Sequence, residues 1–257
     1  MSDPCAALVE AHDPDRFAAT MVAPVAARGL LWPIYSFNLE VARAAWASAE
    51  PMIAQMRLQW WRDGLAQVDA GGVVPAHDVL TPLAGVIRER SLPVGLFDDM
   101  VVARYWDIGR AGFGDGAAFD RHVQATAGNL MWLAALALGA GRQAEPVVRR
   151  FAQGAGIANW LMAVPVLVAR GRVPLVDGSD SAVADLARQG LAALAGARAA
   201  RHLVARDAAP ALLAGWQAGA LLRQVAAEPG RVAAGTMGQA EFARRGGLLW
   251  RGGSGRW

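Results

Sequence analysis

Residues 30–68, LLWPIYSFNLEVARAAWASAEPMIAQMRLQWWRDGLAQV, decide the fold class. Apolar residues recur there at helical spacing: Ile34, Phe37, Val41 and Ala45 in the first half, Ile53, Met56, Trp60 and Leu65 in the second. Side chains three or four positions apart share one face of an α-helix, and the strict alternation of a half-buried strand is missing. The spacing predicts two helices, over residues 30–47 and 51–68. Pro33 suits a first-turn position in one, and Pro51 opens the other.

Working outward, the same period fills most of the chain. Helices are expected over 94–108, 122–138, 147–168, 185–205 and 210–225, with 122–138 and 147–168 the most apolar and therefore central. Proline and glycine breaks between the segments leave about eight to ten helices, with no fixed-period repeat and no interdomain linker. The expected fold class is all-α. Residues 1–12 read as an N-terminal extension, 13–243 as one helical domain, and 244–257 as an arginine-rich tail. That tail, with Arg244, Arg245, Arg251 and Arg256 among Gly, Leu and Trp, suits a frayed end making at most peripheral contact with an anionic membrane surface. The apolar stretches 130–140 and 155–169 fall short of the about 20 residues that span a bilayer, and no signal-peptide pattern opens the chain. The expected location is the cytoplasm, peripheral to the inner membrane at most.

Composition removes several kinds of chemistry. Of 257 residues, 54% are hydrophobic and 18% charged, enough apolar material for a large core. A single cysteine, Cys5, in an end expected to be mobile, excludes a disulfide framework and a four-thiolate zinc site. All 25 basic side chains are arginine, so lysine Schiff bases and a Walker phosphate loop are excluded. A net charge of +3 spread along the chain makes no nucleic-acid face. His12, His77, His122 and His202 lie far apart and read as satisfied or solvated side chains. No two acids stand one helical turn apart at i and i+4; Glu10 with Asp13, Asp177 with Asp180, and adjacent Asp98 and Asp99 come nearest. Trp60–Trp61 between Arg57 and Arg62 suggests guanidinium stacked on indole.

Four segments in order carry a resemblance. YSFNLEVAR (35–43), EPMIAQMRLQWWRDGL (50–65), HVQATAGNLMWL (122–133, with Ala127–Gly128) and AQGAGIANWLMAVPVLVARGRVPL (152–175) resemble the squalene/phytoene synthase family, over roughly residues 13–175. The resemblance implies an isoprenoid synthase-type helical bundle around a central cavity. It also implies two Asp-x-x-x-Asp motifs that hold magnesium and the diphosphates of two prenyl substrates. Aligned on those motifs, the four acid positions are Ala42, Trp46, Ala163 and Leu167, with Met162 at a position usually occupied by arginine. A metal site and magnesium are therefore not expected, and no catalytic residue is assigned.

Phe37–Asn38, Glu40, Met56–Arg57, Trp61 and the spacing from Gly156 to Pro165 are similar to a non-catalytic branch of the family, related to the mitochondrial assembly factor of respiratory complex I. The resemblance implies a scaffold or assembly factor with respiratory-chain subunits as partners. Two alternatives stay open: a prenyltransferase of isoprenoid biosynthesis joining two prenyl diphosphates, with Asp98, Asp99 or Asp107 as substitute acids, or a carrier of an isoprenoid lipid or quinone. Tyr35, Asn38, Glu40, Arg57, Asn129, Asn159 and Arg172 are the candidate cavity-lining residues.

Overall fold

The computed structural model describes every residue except 1, 2, 49 and 255, and the side chains of residues 242–245, Arg244 and Arg245 included, lie outside the described set. No strand occurs among the described residues. The helices are α1 (Pro4–His12), α2 (Pro14–Met21), α3 (Val25–Ala44), α4 (Pro51–Asp69), α5 (Leu80–Arg90), α6 (Val94–Ala103), α7 (Tyr105–Ile108) and α8 (Gly116–Val123). After them come α9 (Asn129–Ala137), α10 (Glu145–Ala169), α11 (Asp180–Ala199), α12 (Ala218–Ala227), α13 (Gly230–Ala234) and α14 (Glu241–Ser254). All but α2, α7, α8 and α13 run nine residues or more.

The first two helices start from aspartates. Asp3 accepts from the backbone N–H groups of Cys5 and Ala6, and Asp13 from that of Arg16, each ahead of a first-turn proline. Residues 4–12 are thus a folded element: Cys5 and Val9 are fully buried, and the Ser36 hydroxyl donates to the Cys5 carbonyl at 2.9 Å. Cys5 is therefore not in a mobile end. Burial pushes its thiol up to about 11.

Along α3 the expected face holds, with Ile34, Phe37 and Val41 fully buried and Ala45 nearly so just beyond the helix. Its start does not: the helix begins at Val25 after Pro24, leaving Pro33 inside it. On α4 the buried side is Ala54, Leu58, Trp61, Leu65 and Val68, so of the expected stripe only Leu65 lies on it. Ile53, Met56 and Trp60 are exposed. Both faces of α4 are apolar, and the small residues decide between them: Gly64 lies so close to α5 that a Cβ would stand 2.7 Å from Leu80 Cδ2. Phe37 then meets Trp61 and Phe97 edge-on, each at 5.3 Å, joining α3, α4 and α6.

The expected helix 122–138 is a continuous run interrupted by a π turn at Gln124–Gly128, between α8 and α9. In α9 every residue but Leu136 is buried. The two later expected helices shift: α11 ends at Ala199, and Pro210 sits in a 3-10 segment, Arg206–Gly215, that precedes α12. Of the tail expected over 244–257, the part up to Ser254 belongs to α14, where Leu248 is buried; beyond it Trp257 packs on Phe151 at 4.9 Å.

Helix α10 is the centre. With the 3-10 turn before it, residues 142–169 form one helical stretch long and apolar enough to cross a membrane by length and composition, beyond the expected limit. Burial of 56% of its apolar window inside the fold makes it the core helix of the bundle. Its neighbours approach through missing side chains. A Cβ on Gly154 would stand 2.6 Å from the Gly190 carbonyl oxygen of α11, and one on Gly156 would stand 2.6 Å from Val123 Cγ1 of α8.

Gly154→Ala is expected to lower the unfolding free energy by about 1–3 kcal/mol, because the new methyl meets backbone that cannot rotate away. Gly85→Ala, in mid-helix with open space around it, is expected to raise it by about 0.5–1 kcal/mol. Urea denaturation of both variants checks the contrast.

Candidate functional site

A cavity of about 480 Å³ opens between α2, α3, α8, α9, α10 and the 3-10 segment before α12. Its deeper wall is apolar, with Leu130 and Met131 from α9, Ala155, Gly156 and Ala163 from α10, and Leu221 from α12. Its polar side holds Asp13, Asp15, Arg16, Tyr35, Asn38, Arg104, Asp107, His122, Asn159 and Arg170.

One feature of the mouth follows from how α10 ends. Gly171 takes φ +73, and the Arg172 and Gly171 N–H groups donate back to the carbonyls of Leu167 and Val168. This αL cap turns the chain at once, so that the residues on both sides of the glycine return toward α3. The Arg170 and Arg172 guanidiniums both lie over the Trp46 ring, at 4.6 and 5.0 Å from its centroid. Trp46 follows α3 directly, and with Ala163 and Leu167 it lines the cavity. Ala42 lies one turn earlier and is not part of the wall.

Deeper in, Arg104 and Asp107 pair at 3.5 Å, with Asp107 only 3% exposed. Burial raises the Asp107 carboxyl above the usual range, against the opposing pull of Arg104, Arg172 and Arg170. His122 sits in an aromatic nest of Trp106, Phe113 and Trp160, and burial together with the Arg104 charge lowers its imidazole to about 3. Asp107 Oδ2, His122 Nε2 and Arg104 Nε are buried and have no hydrogen-bond partner. At the other side of the mouth Arg16 pairs with Asp13 at 2.7 Å and lies 5.3 Å from the Tyr35 ring centroid. Burial pushes the Tyr35 hydroxyl up to about 12.

Of the candidates named from sequence, Tyr35, Asn38 and Asn159 line this cavity. Glu40 and Arg57 line a separate groove that shares Trp46 and Arg170 with it. Asn129 is a buried tie: its amide donates to the Leu96 carbonyl and its oxygen accepts from Arg149. Arg172 reaches the mouth through Trp46. Asp98 is held by Arg62 in a two-point ion pair at 2.7 and 3.0 Å, whereas Asp107 is in the cavity. Arg62 therefore does not stack on Trp60 or Trp61; those indoles pack on each other and on His77. His122, expected to be satisfied or solvated, is neither. Sequence reasoning missed Arg16, Arg104 and Arg170 as site residues, and the one local signal was the glycine between Arg170 and Arg172.

Among the described residues no three His, Cys, Asp or Glu side chains converge as a metal would need. The mouth carries guanidiniums on an indole instead.

Residues 9–177 match the family described as squalene/phytoene synthase. The complex I assembly factor 6 homolog of Drosophila melanogaster is 27% identical over 179 residues, 67% of this chain and 53% of that protein. The chain thus spans about half the length of that curated relative. Among solved structures, squalene synthase HpnC from Alicyclobacillus acidocaldarius matches with a TM-score of 0.74 at 16% identity, over 86% of this chain and 91% of the other. A dehydrosqualene synthase solved with a ligand matches with a TM-score of 0.81 at 15% identity, over 97% and 94%. The isoprenoid synthase-type bundle expected from the sequence is the fold of this chain.

His122 gives the site a pH signature. The folded imidazole stays neutral down to about 3, whereas the unfolded one takes a proton near 6.5. Its contribution is complete above pH 6.5 and is lost as pH falls toward about 3; Asp107, raised on folding, acts in the opposite sense above its ordinary value. Between pH 7 and 5 the parent is expected to lose about 2 kcal/mol more unfolding free energy than His122→Phe. Denaturant titrations at the two pH values decide, and parallel losses would mean that His122 titrates freely.

Proposed function

This chain belongs to the squalene/phytoene synthase family, and we propose that it is a non-catalytic member, a scaffold acting in assembly of respiratory complex I. The observation that carries this reading is the Trp46 stack. Prenyl diphosphate condensation needs carboxylates that bridge magnesium to the leaving group and take up its charge. Here the corresponding positions are Ala42, Trp46, Ala163 and Leu167, and Arg170 and Arg172 occupy the space over the indole. Two of the carboxylates that reach the cavity are committed elsewhere: Asp13 caps α2 and pairs with Arg16, and Asp107 pairs with Arg104. The similarity to an assembly factor 6 homolog favours assembly over a metabolic role and supports respiratory-chain subunits as partners. Purified protein given farnesyl or geranylgeranyl diphosphate with magnesium is expected to release no diphosphate. A deletion strain is expected to lose assembled complex I. Turnover, or normal assembly without the gene, overturns the reading.

A second reading, binding of a lipid without catalysis, is favoured by the orphaned polar atoms. Buried groups without partners are uncommon, and here Arg104, Asp107 and His122 expose donor and acceptor positions at one end of an apolar cavity. An amphiphile with an apolar tail and a hydrogen-bonding, uncharged head, such as a prenyl alcohol or quinone, would satisfy them. Mass spectrometry of organic extracts is expected to find such a lipid on the parent and much less of it on Ala163→Trp, whose indole would take up part of the cavity. An empty parent extract removes this reading and leaves the first intact.

A further inference from the structure

The outward face of α4 takes no part in the cavity, and the groove beside it shares only Trp46 and Arg170 with it. Met52, Met56 and Trp60 lie at i, i+4 and i+8 on α4 and are 67%, 66% and 37% exposed, with Ile53 next to them at 38%. The opposite face of the same helix supplies the core, so this stripe is apolar surface that the fold leaves uncovered. Alongside runs a groove of about 550 Å³ between the end of α3, α4, His77 and Arg170, with Trp46, Trp60 and Trp61 in its lining. Three guanidiniums, Arg43, Arg57 and Arg170, line it against one carboxylate, Glu40. Glu40 reaches Arg43 only at 4.0 Å, and Arg57 has neither an ion pair nor a hydrogen bond among the described residues. Methionine, tryptophan and arginine together are the composition of interface hot spots.

We propose that this stripe and groove form a docking site for an acidic amphipathic helix of a partner protein. Its apolar side chains would lie against Met52, Met56 and Trp60, while its carboxylates would meet Arg57 and the unbalanced charges of Arg43 and Arg170. Charge complementarity selects an acidic occupant. A concave groove beside the stripe fits a protruding helix better than a flat bilayer. The choice of a protein partner rests on the scaffold reading; the shape and charge of the site do not.

A photo-crosslinking residue replacing Met56 in the full chain, expressed in its native host, tests this. The expected product is an adduct mapped by mass spectrometry to an acidic helical segment of another protein. Arg57→Glu is expected to reduce the yield about tenfold, the size of one lost charge pair, and lysine in place of a glutamate at the mapped segment is expected to restore it. An adduct with lipid, together with sedimentation on phosphatidylglycerol vesicles that Met56→Glu abolishes, would make the face a membrane contact and overturn the proposal. So would an adduct with a second copy of the chain, no adduct at all, or a yield indifferent to Arg57→Glu. Normal complex I assembly in a Met56→Glu, Arg57→Glu strain, where deletion abolishes it, sinks the docking site but not the scaffold; an acidic-helix adduct despite assembly unaffected by deletion does the reverse.

Discussion

Close approach to one helix is the constraint on which the rest of this structure depends. α10 can be the axis of the bundle because its surface is cut away at Gly154 and Gly156, where the α11 backbone and the α8 side chains occupy the space that Cβ atoms would need. A wider separation would change more than packing. The same helix supplies one wall of the cavity and ends in the glycine cap that returns Arg170 and Arg172 to Trp46. Core density and site geometry are therefore set by the same few missing methyl groups.

The electrostatics of the mouth follow from that cap. In a metal-dependent relative, carboxylates would gather cations; here the cations are covalently part of the chain and rest on an aromatic face. Arginine suits this use because its charge is permanent and its flat guanidinium stacks on indole while keeping its N–H groups free. The inner pair of Arg104 and Asp107 is buried without a full set of hydrogen bonds. Such a pair is weak evidence for stability and better evidence for a polar occupant.

Much of the fold was legible because periodicity reports burial directly. The Ile34, Phe37, Val41 face was readable, and so was the centrality of 147–168. On α4 periodicity failed for a physical reason. Both faces of that helix are apolar, and the neighbours it packs on, α5 at Gly64 and Phe37 of α3 at Trp61, select the side that is buried. The α3 start was misplaced because a proline can be tolerated inside a long helix held by its neighbours. Site legibility was lower. Tyr35, Asn38 and Asn159 could be found because they lie on helices whose inward faces were recognised. Arg104 and Asp107 stand three positions apart and pair locally, but only tertiary packing brings that pair and His122 to one cavity. Glu40 on α3 and Arg57 on α4 line the groove instead, since a residue's helix does not reveal its direction at the edge of a face.

Trp46 and Arg170 are common to the cavity and the groove. One indole and one guanidinium thus form a party wall between an inner chamber and an outer surface. Anything that displaces the ring from either side must move it for the other. By thermodynamic reciprocity, a tenant of the chamber and a visitor at the surface would each alter the affinity of the protein for the other by the same factor, with no longer-range machinery required.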